Sequence, residues 1–180
     1  AILFPVAAAS DIPYLEKALG KAGQSIVNLS LWMHGAFDTG WQATENVLNP
    51  SQATLAFRFR DGNRQKINIS ESSSSGVKRG KLFNFEIEQA NESVVLLIGL
   101  IPVELDKIKV SVEIYPTNGQ TYLPQDLQLM VLDETGLAVM QAQTRNSNKD
   151  IYLDFTANYG EKFGIKIVLN NIGMTENFLV

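Results

Sequence analysis

Residues 28–41, NLSLWMHGAFDTGW, hold both tryptophans, the single histidine and an aspartate four positions beyond that histidine. His34, Asp38, Gln42 and Glu45 succeed one another at steps of four, four and three, a spacing that aligns side chains on one helical stripe. An imidazole beside a carboxylate is the base half of a nucleophilic site. Completing it takes a hydroxyl or thiol aimed at the imidazole and an orienting group on the same face. Neither lies nearby, so the pair reads as solvated helix polarity and no catalytic residue is assigned.

The acidic residues raise a second chemistry. Glu86, Glu88, Glu104, Asp106, Glu113, Asp150 and Asp154 can supply an acid/base pair only if the fold brings two of them into one cleft, and on strands such residues mostly line the solvent face. Asp133-Glu134 and Asp150 offer oxygen ligands for calcium, but the dense DxDxDG loop is missing, and a turn is the simpler reading. With one histidine and no cysteine, a protein zinc site is disfavoured; no metal or other cofactor is expected. A P-loop, a dinucleotide fingerprint, HExxH and a nucleophile elbow are all absent.

Charge is most uneven between residues 58 and 81. Arg58, Arg60, Arg64, Lys66, Lys78, Arg79 and Lys81, seven of the fifteen basic residues, face only Asp61 and Glu71 there. Brought together, they form a candidate patch for an anion or an acidic partner segment. Without aromatic residues on the same face to stack on bases, nucleic acid is not the expected partner, and cations on an edge strand also serve to prevent aggregation. Tyr115, Tyr122, Tyr152 and Tyr159 are the aromatic candidates for carbohydrate, since both tryptophans are committed to packing.

Two helices and a run of strands must position these residues. SDIPYLEKALGKAG reads as a short helix with Asp11 as its cap and Pro13 in its first turn. A second helix is expected from Asn28 to Pro50, its apolar side carrying Leu29, Trp32, Met33, Ala36, Phe37, Trp41, Thr44, Val47 and Leu48. From residue 53 the period becomes two, with ATLAFRFR and QKINIS as a hairpin, followed by the serine-rich loop SESSSSGVKRG. Eight further strand candidates follow: KLFNFEIEQ, SVVLLIGLI, KIKVSVEIYP, LQLMVLD, LAVMQAQT, DIYLDFTA, KFGIKIVL and TENFLV. Turns are expected at Asn91, 116–120, 133–136, 146–148 and Tyr159-Gly160. VVLLIGLI is apolar on both faces, so it belongs at a sheet centre or beneath the N-terminal helices.

Strands at roughly ten-residue spacing without helices between them predict a mainly β fold, an antiparallel β-sandwich of about eight or more strands preceded by a helical hairpin. Residues 1–50 would supply an N-terminal strand remnant and two helices, and residues 51–180 the sandwich. The opening AILFPVAAAS reads as the last strand of an upstream portion. The chain has 180 residues, is 45% apolar and carries a net charge of −4. It suits one main domain without membrane association, and the lack of cysteine favours a reducing, cytoplasmic address.

The segments VNLSLWMHGAFDTGW, VKRGK, YPTNGQTYLPQDLQLMVLDETG and GEKFGIKIVLNNIGMTENFLV resemble a family of uncharacterised cyanobacterial proteins known only as a domain of unknown function. The resemblance runs from about residue 26 to the end. It implies a chain that is the C-terminal part of longer relatives and carries over no activity or site. The expectation is therefore a non-catalytic module with a protein partner, TENFLV offering an edge for strand addition. A β-sandwich binding a carbohydrate or an anion, and an unrecognised hydrolase, are the alternatives.

Overall fold

The computed structural model describes residues 25–56, 76–87, 90–117 and 119–180. The expected first helix, the N-terminal strand, QKINIS and residues 57–60 of ATLAFRFR lie outside them. The described residues are mainly β, with strands β1 (Val27–Asn28), β2 (Gln42–Ala43), β3 (Val77–Ile87), β4 (Ala90–Glu104), β5 (Lys107–Pro116), β6 (Gln128–Leu132), β7 (Ala138–Gln143), β8 (Ile151–Asn158), β9 (Lys162–Leu169) and β10 (Ile172–Leu179). They form two five-stranded sheets, ordered β1-β10-β9-β6-β7 and β2-β3-β4-β5-β8. Every pairing is antiparallel except β1 with β10, which is parallel.

The eight strands expected after residue 80 are all present: most carry apolar residues at alternate positions, and β4 and the second half of β5 are buried on both faces. Several turns form where a residue takes the left-handed conformation: Gly119, Gly136, Gly160 and Ser147 have positive φ, and Asn170-Asn171 makes a further two-residue turn between β9 and β10. Asn91 is not a turn residue; it lies in β4 opposite Glu86.

The segment 28–49 departs from expectation. It is not one helix but a single turn, α1 (Leu29–Trp32), then an irregular stretch, β2, and a second single turn, α2 (Thr44–Val47). Gly35, at φ +81°, stops α1: its N–H donates to Trp32 O at 3.0 Å and the Ala36 N–H to Leu31 O at 3.0 Å, the two bonds of a Schellman cap. Gly40, at φ +91°, turns the chain again before β2. Residues 53–56, expected in a strand, instead belong to α3 (Pro50–Ala56). Pro50 opens this helix rather than ending one. Asn49 Oδ1 accepts from the Gln52 N–H at 2.8 Å and Gln52 Oε1 from the Asn49 N–H at 3.3 Å, a reciprocal capping box with proline in the first helical position.

These short elements bind the N-terminal segment to both sheets. Leu48 and Ala53 pack with Val95 and Leu97 on one face of β4 and with Tyr115 of β5, while Val94, Leu96, Ile98 and Leu100 face the main core. β4 is thus central in its sheet and covered on its outer side, which accounts for its two apolar faces. Both tryptophans are buried. Trp32 packs on Trp41 at 5.2 Å between centroids, Trp41 on Phe178 at 5.7 Å, Phe178 on Phe163 at 5.0 Å, and Phe163 on Phe155 at 5.0 Å. This row of rings passes from the α1 segment through β10 and β9 to β8, linking residues of both sheets in one apolar cluster.

Candidate interaction site

The β6–β7 hairpin stands at the edge of its sheet because two polar turns pin its ends. At the turn, Asp133 Oδ1 accepts from the Thr135 N–H at 2.9 Å, the Thr135 hydroxyl at 2.6 Å and the Leu137 N–H at 3.0 Å. The Thr135 hydroxyl, followed by the Leu137 N–H, holds the exposed Asp133 carboxyl below its usual range. At the other end buried Thr144 ties β7 down: its hydroxyl donates to Pro124 O at 2.6 Å and accepts from the Leu127 N–H at 2.9 Å, and its own N–H reaches Leu127 O at 2.9 Å. Antiparallel ladders alternate, so the Ala142 and Met140 N–H groups also point to β6, while those of Gln141 and Gln143 point outward.

No described strand pairs with the outer side of β7. The strand reads AVMQAQ, without a charge or a proline; Leu137, just before it, and Val139, in its first half, are 68% and 61% exposed. Natural edges are ordinarily blunted by lysine, proline or inward charges; here a register shift between Val131 and Leu132 is the one such device. An open polar hollow of about 520 Å³, lined by Asp126, Gln143, Thr144, Arg145 and Asn146, adjoins the C-terminal end of the strand. β10, which contains most of TENFLV, is paired by β9 along its length and by β1 only at its Phe178–Leu179 end.

Of the basic patch, Arg58, Arg60, Arg64 and Lys66 lie outside the described residues. Lys78, Arg79 and Lys81 share β3 but alternate between its faces. Lys78 Nζ is buried against Glu113 Oε2 at 2.8 Å on the outer face, where Tyr115 Oη also approaches Glu113 at 3.4 Å. Arg79 lies 3.7 Å above the Phe37 ring, and Lys81 forms an ion pair with Glu176 of the other sheet. These three cations are engaged within the molecule rather than gathered on one open surface.

The remaining candidates are dispersed. His34 is exposed, and Asp38 does not reach back to it but accepts from Trp32 Nε1 at 3.2 Å. Asp154 pairs with Lys109 at 3.7 Å and Glu104 with Lys107 at 3.6 Å. Among the described residues no three His, Asp or Glu side chains are grouped to hold a metal ion. Tyr115 is buried, whereas Tyr122 and Tyr159 are exposed and lie apart from the second hollow. That hollow, of about 270 Å³, is lined by uncharged side chains including Gln42, Asn46, Asn49, Gln52, Thr117 and Gln120.

The described architecture is that of a mainly β protein in which β7 is an uncharged strand at the edge of its sheet. The chain belongs to the family described as Protein of unknown function (DUF1822), which matches residues 14–179. No curated protein and no solved structure matches the chain. No helix among the described residues is long and apolar enough to cross a membrane.

Proposed function

We propose that this protein is a non-catalytic interaction module, its two sheets packed as a β-sandwich, that takes an extended strand of a protein partner along β7. One observation carries the reading: a six-residue edge with outward backbone groups, exposed apolar side chains and no charge. Main-chain hydrogen bonds supply affinity, Val139 and Gln141 read alternate partner side chains, and the hollow beside Arg145 receives a polar one. The cysteine-free composition suits a reducing compartment, and we assign the module to the cytoplasm. A second reading is favoured by the hollow at Gln42, Asn46 and Gln120, whose neutral amides suit the hydroxyls of a sugar.

Gln141→Pro tests the first reading, because it removes one outward N–H and leaves the bonds to β6 in place. Wild-type protein should capture a stoichiometric partner from native extract, Gln141→Pro should lose it, and Gln141→Ser should keep it. Capture that survives the proline, or saturable glycan binding with no protein partner, would overturn the module reading.

A further inference from the structure

We infer that the strand accepted by β7 is β7 of a second copy of this chain, joined antiparallel about a two-fold axis into one continuous sheet. This rests on the edge-strand reading above and names its partner. The argument is charge complementarity. β7 is itself neutral, but the acidic turn carrying Asp133 and Glu134 precedes it, and Arg145, followed by Lys149, comes after it; Glu134, Arg145 and Lys149 are all exposed. Asp126 shares the hollow with Arg145 but accepts from Gln143 Nε2 at 3.3 Å, so an antiparallel partner strand matches these charges by presenting a cation beside the acidic turn and an anion beside Arg145. A second copy does both by symmetry. Centred on Gln141, the pairing sets Gln143 against Val139 and Arg145 against Leu137, adjoining the acidic turn of the other chain. The two Gln141 side chains meet on the axis, where each amide can donate to and accept from the other.

A two-fold interface of this kind is isologous and closes on itself, leaving neither β7 edge open. That closure accounts for a strand that carries no lysine or proline of its own to keep other chains away.

Sedimentation equilibrium of the full 180-residue chain tests the inference. Wild-type protein should show a monomer–dimer equilibrium that weakens as salt is added. Arg145→Glu, an exposed change that leaves the fold intact, should weaken the dimer about tenfold or more, and adding Glu134→Arg should restore most of that loss. Gln141→Pro should be monomeric with an unchanged circular dichroism spectrum. A wild-type chain that stays monomeric through the micromolar range, or a dimer indifferent to both Arg145→Glu and Gln141→Pro, would overturn the inference. The edge-strand reading falls with it only if wild-type protein also captures no Gln141→Pro-sensitive partner from extract; if such a partner is captured, self-pairing alone is rejected.

Discussion

Gly80 lies beneath α2 at the point where the N-terminal segment meets the sheet, and replacing it by alanine probes that contact directly. A Cβ there would stand 2.6 Å from Val47 Cγ2 and 2.7 Å from Leu97 Cδ2. Both separations are about 1 Å inside ordinary carbon–carbon contact. Overpacking of this order costs about 1–3 kcal/mol, and the lower chain entropy of unfolded alanine offsets up to about 1 kcal/mol of it. Gly80→Ala should therefore be destabilised by about 1–2 kcal/mol, lowering the melting temperature by roughly 2–8 °C for a chain of this size. Urea denaturation followed by circular dichroism measures it. Val47→Ala removes the nearer obstacle, so the double variant should recover part of the loss, a coupling of about 0.5–3 kcal/mol. Gly173→Ala is the control: its Cβ would meet only the flexible end of Lys166, 3.1 Å away, and Val168 at ordinary distance, and stability should change by less than about 0.5 kcal/mol. A neutral or stabilising Gly80→Ala would refute the packing of α2 on this face.

Three further perturbations address other parts of the molecule. Glu113→Gln should cost about 3–5 kcal/mol in urea denaturation by removing the carboxylate charge that faces buried Lys78, whereas Lys78→Met with Glu113→Leu should recover most of that loss. Trp32→Ala, at a fully buried ring packed at a tilt against Trp41, should cost about 3–5 kcal/mol and red-shift the remaining tryptophan emission. Asp133 has its pKa depressed in the folded chain, so its contribution is fully present above its unfolded value near ~3.9 and is lost as pH falls through the folded value. The stability difference between wild type and Asp133→Asn should accordingly hold constant above about pH 5 and shrink in more acid solution, as pH-dependent urea denaturation will report.

Most C-terminal strands were legible because apolar residues recur at alternate positions, as in KIKVSVEIYP, where Ile108, Val110, Val112 and Ile114 all enter the core, while SVVLLIGLI was legible as a continuous apolar run. The segment 28–49 was misread for a specific reason. Its apolar residues satisfy a helical spacing, yet Gly35 and Gly40 sit where the backbone turns left-handed, and HisGly after LeuTrpMet was the available stop signal. Likewise Asn-Pro-Ser-Gln at 49–52 spells the capping box of α3, while the alternation of ATLAFRFR suggested a strand. β1 and β2, at two residues each, are too short for any periodicity to reveal.

The binding edge could not be read from the chain because strand order is non-local. LAVMQAQT announces a strand, but only its position beyond β6 makes it an edge, and only the pairing of β1 with β10 shows which end of TENFLV is covered. The patch shows the converse. Lys78, Arg79 and Lys81 are close in sequence, but alternation along β3 and partners on α1's flank, β5 and β10 separate them.

Residue-resolved amide hydrogen exchange along β7 tests the exposed edge most directly. In the dissociated chain the Gln141 and Gln143 amides should exchange rapidly between slowly exchanging Met140 and Ala142, and on assembly with a partner strand all four should become slow. Slow exchange at Gln141 and Gln143 in the isolated chain, or rapid exchange that persists in the assembled form, would contradict the account.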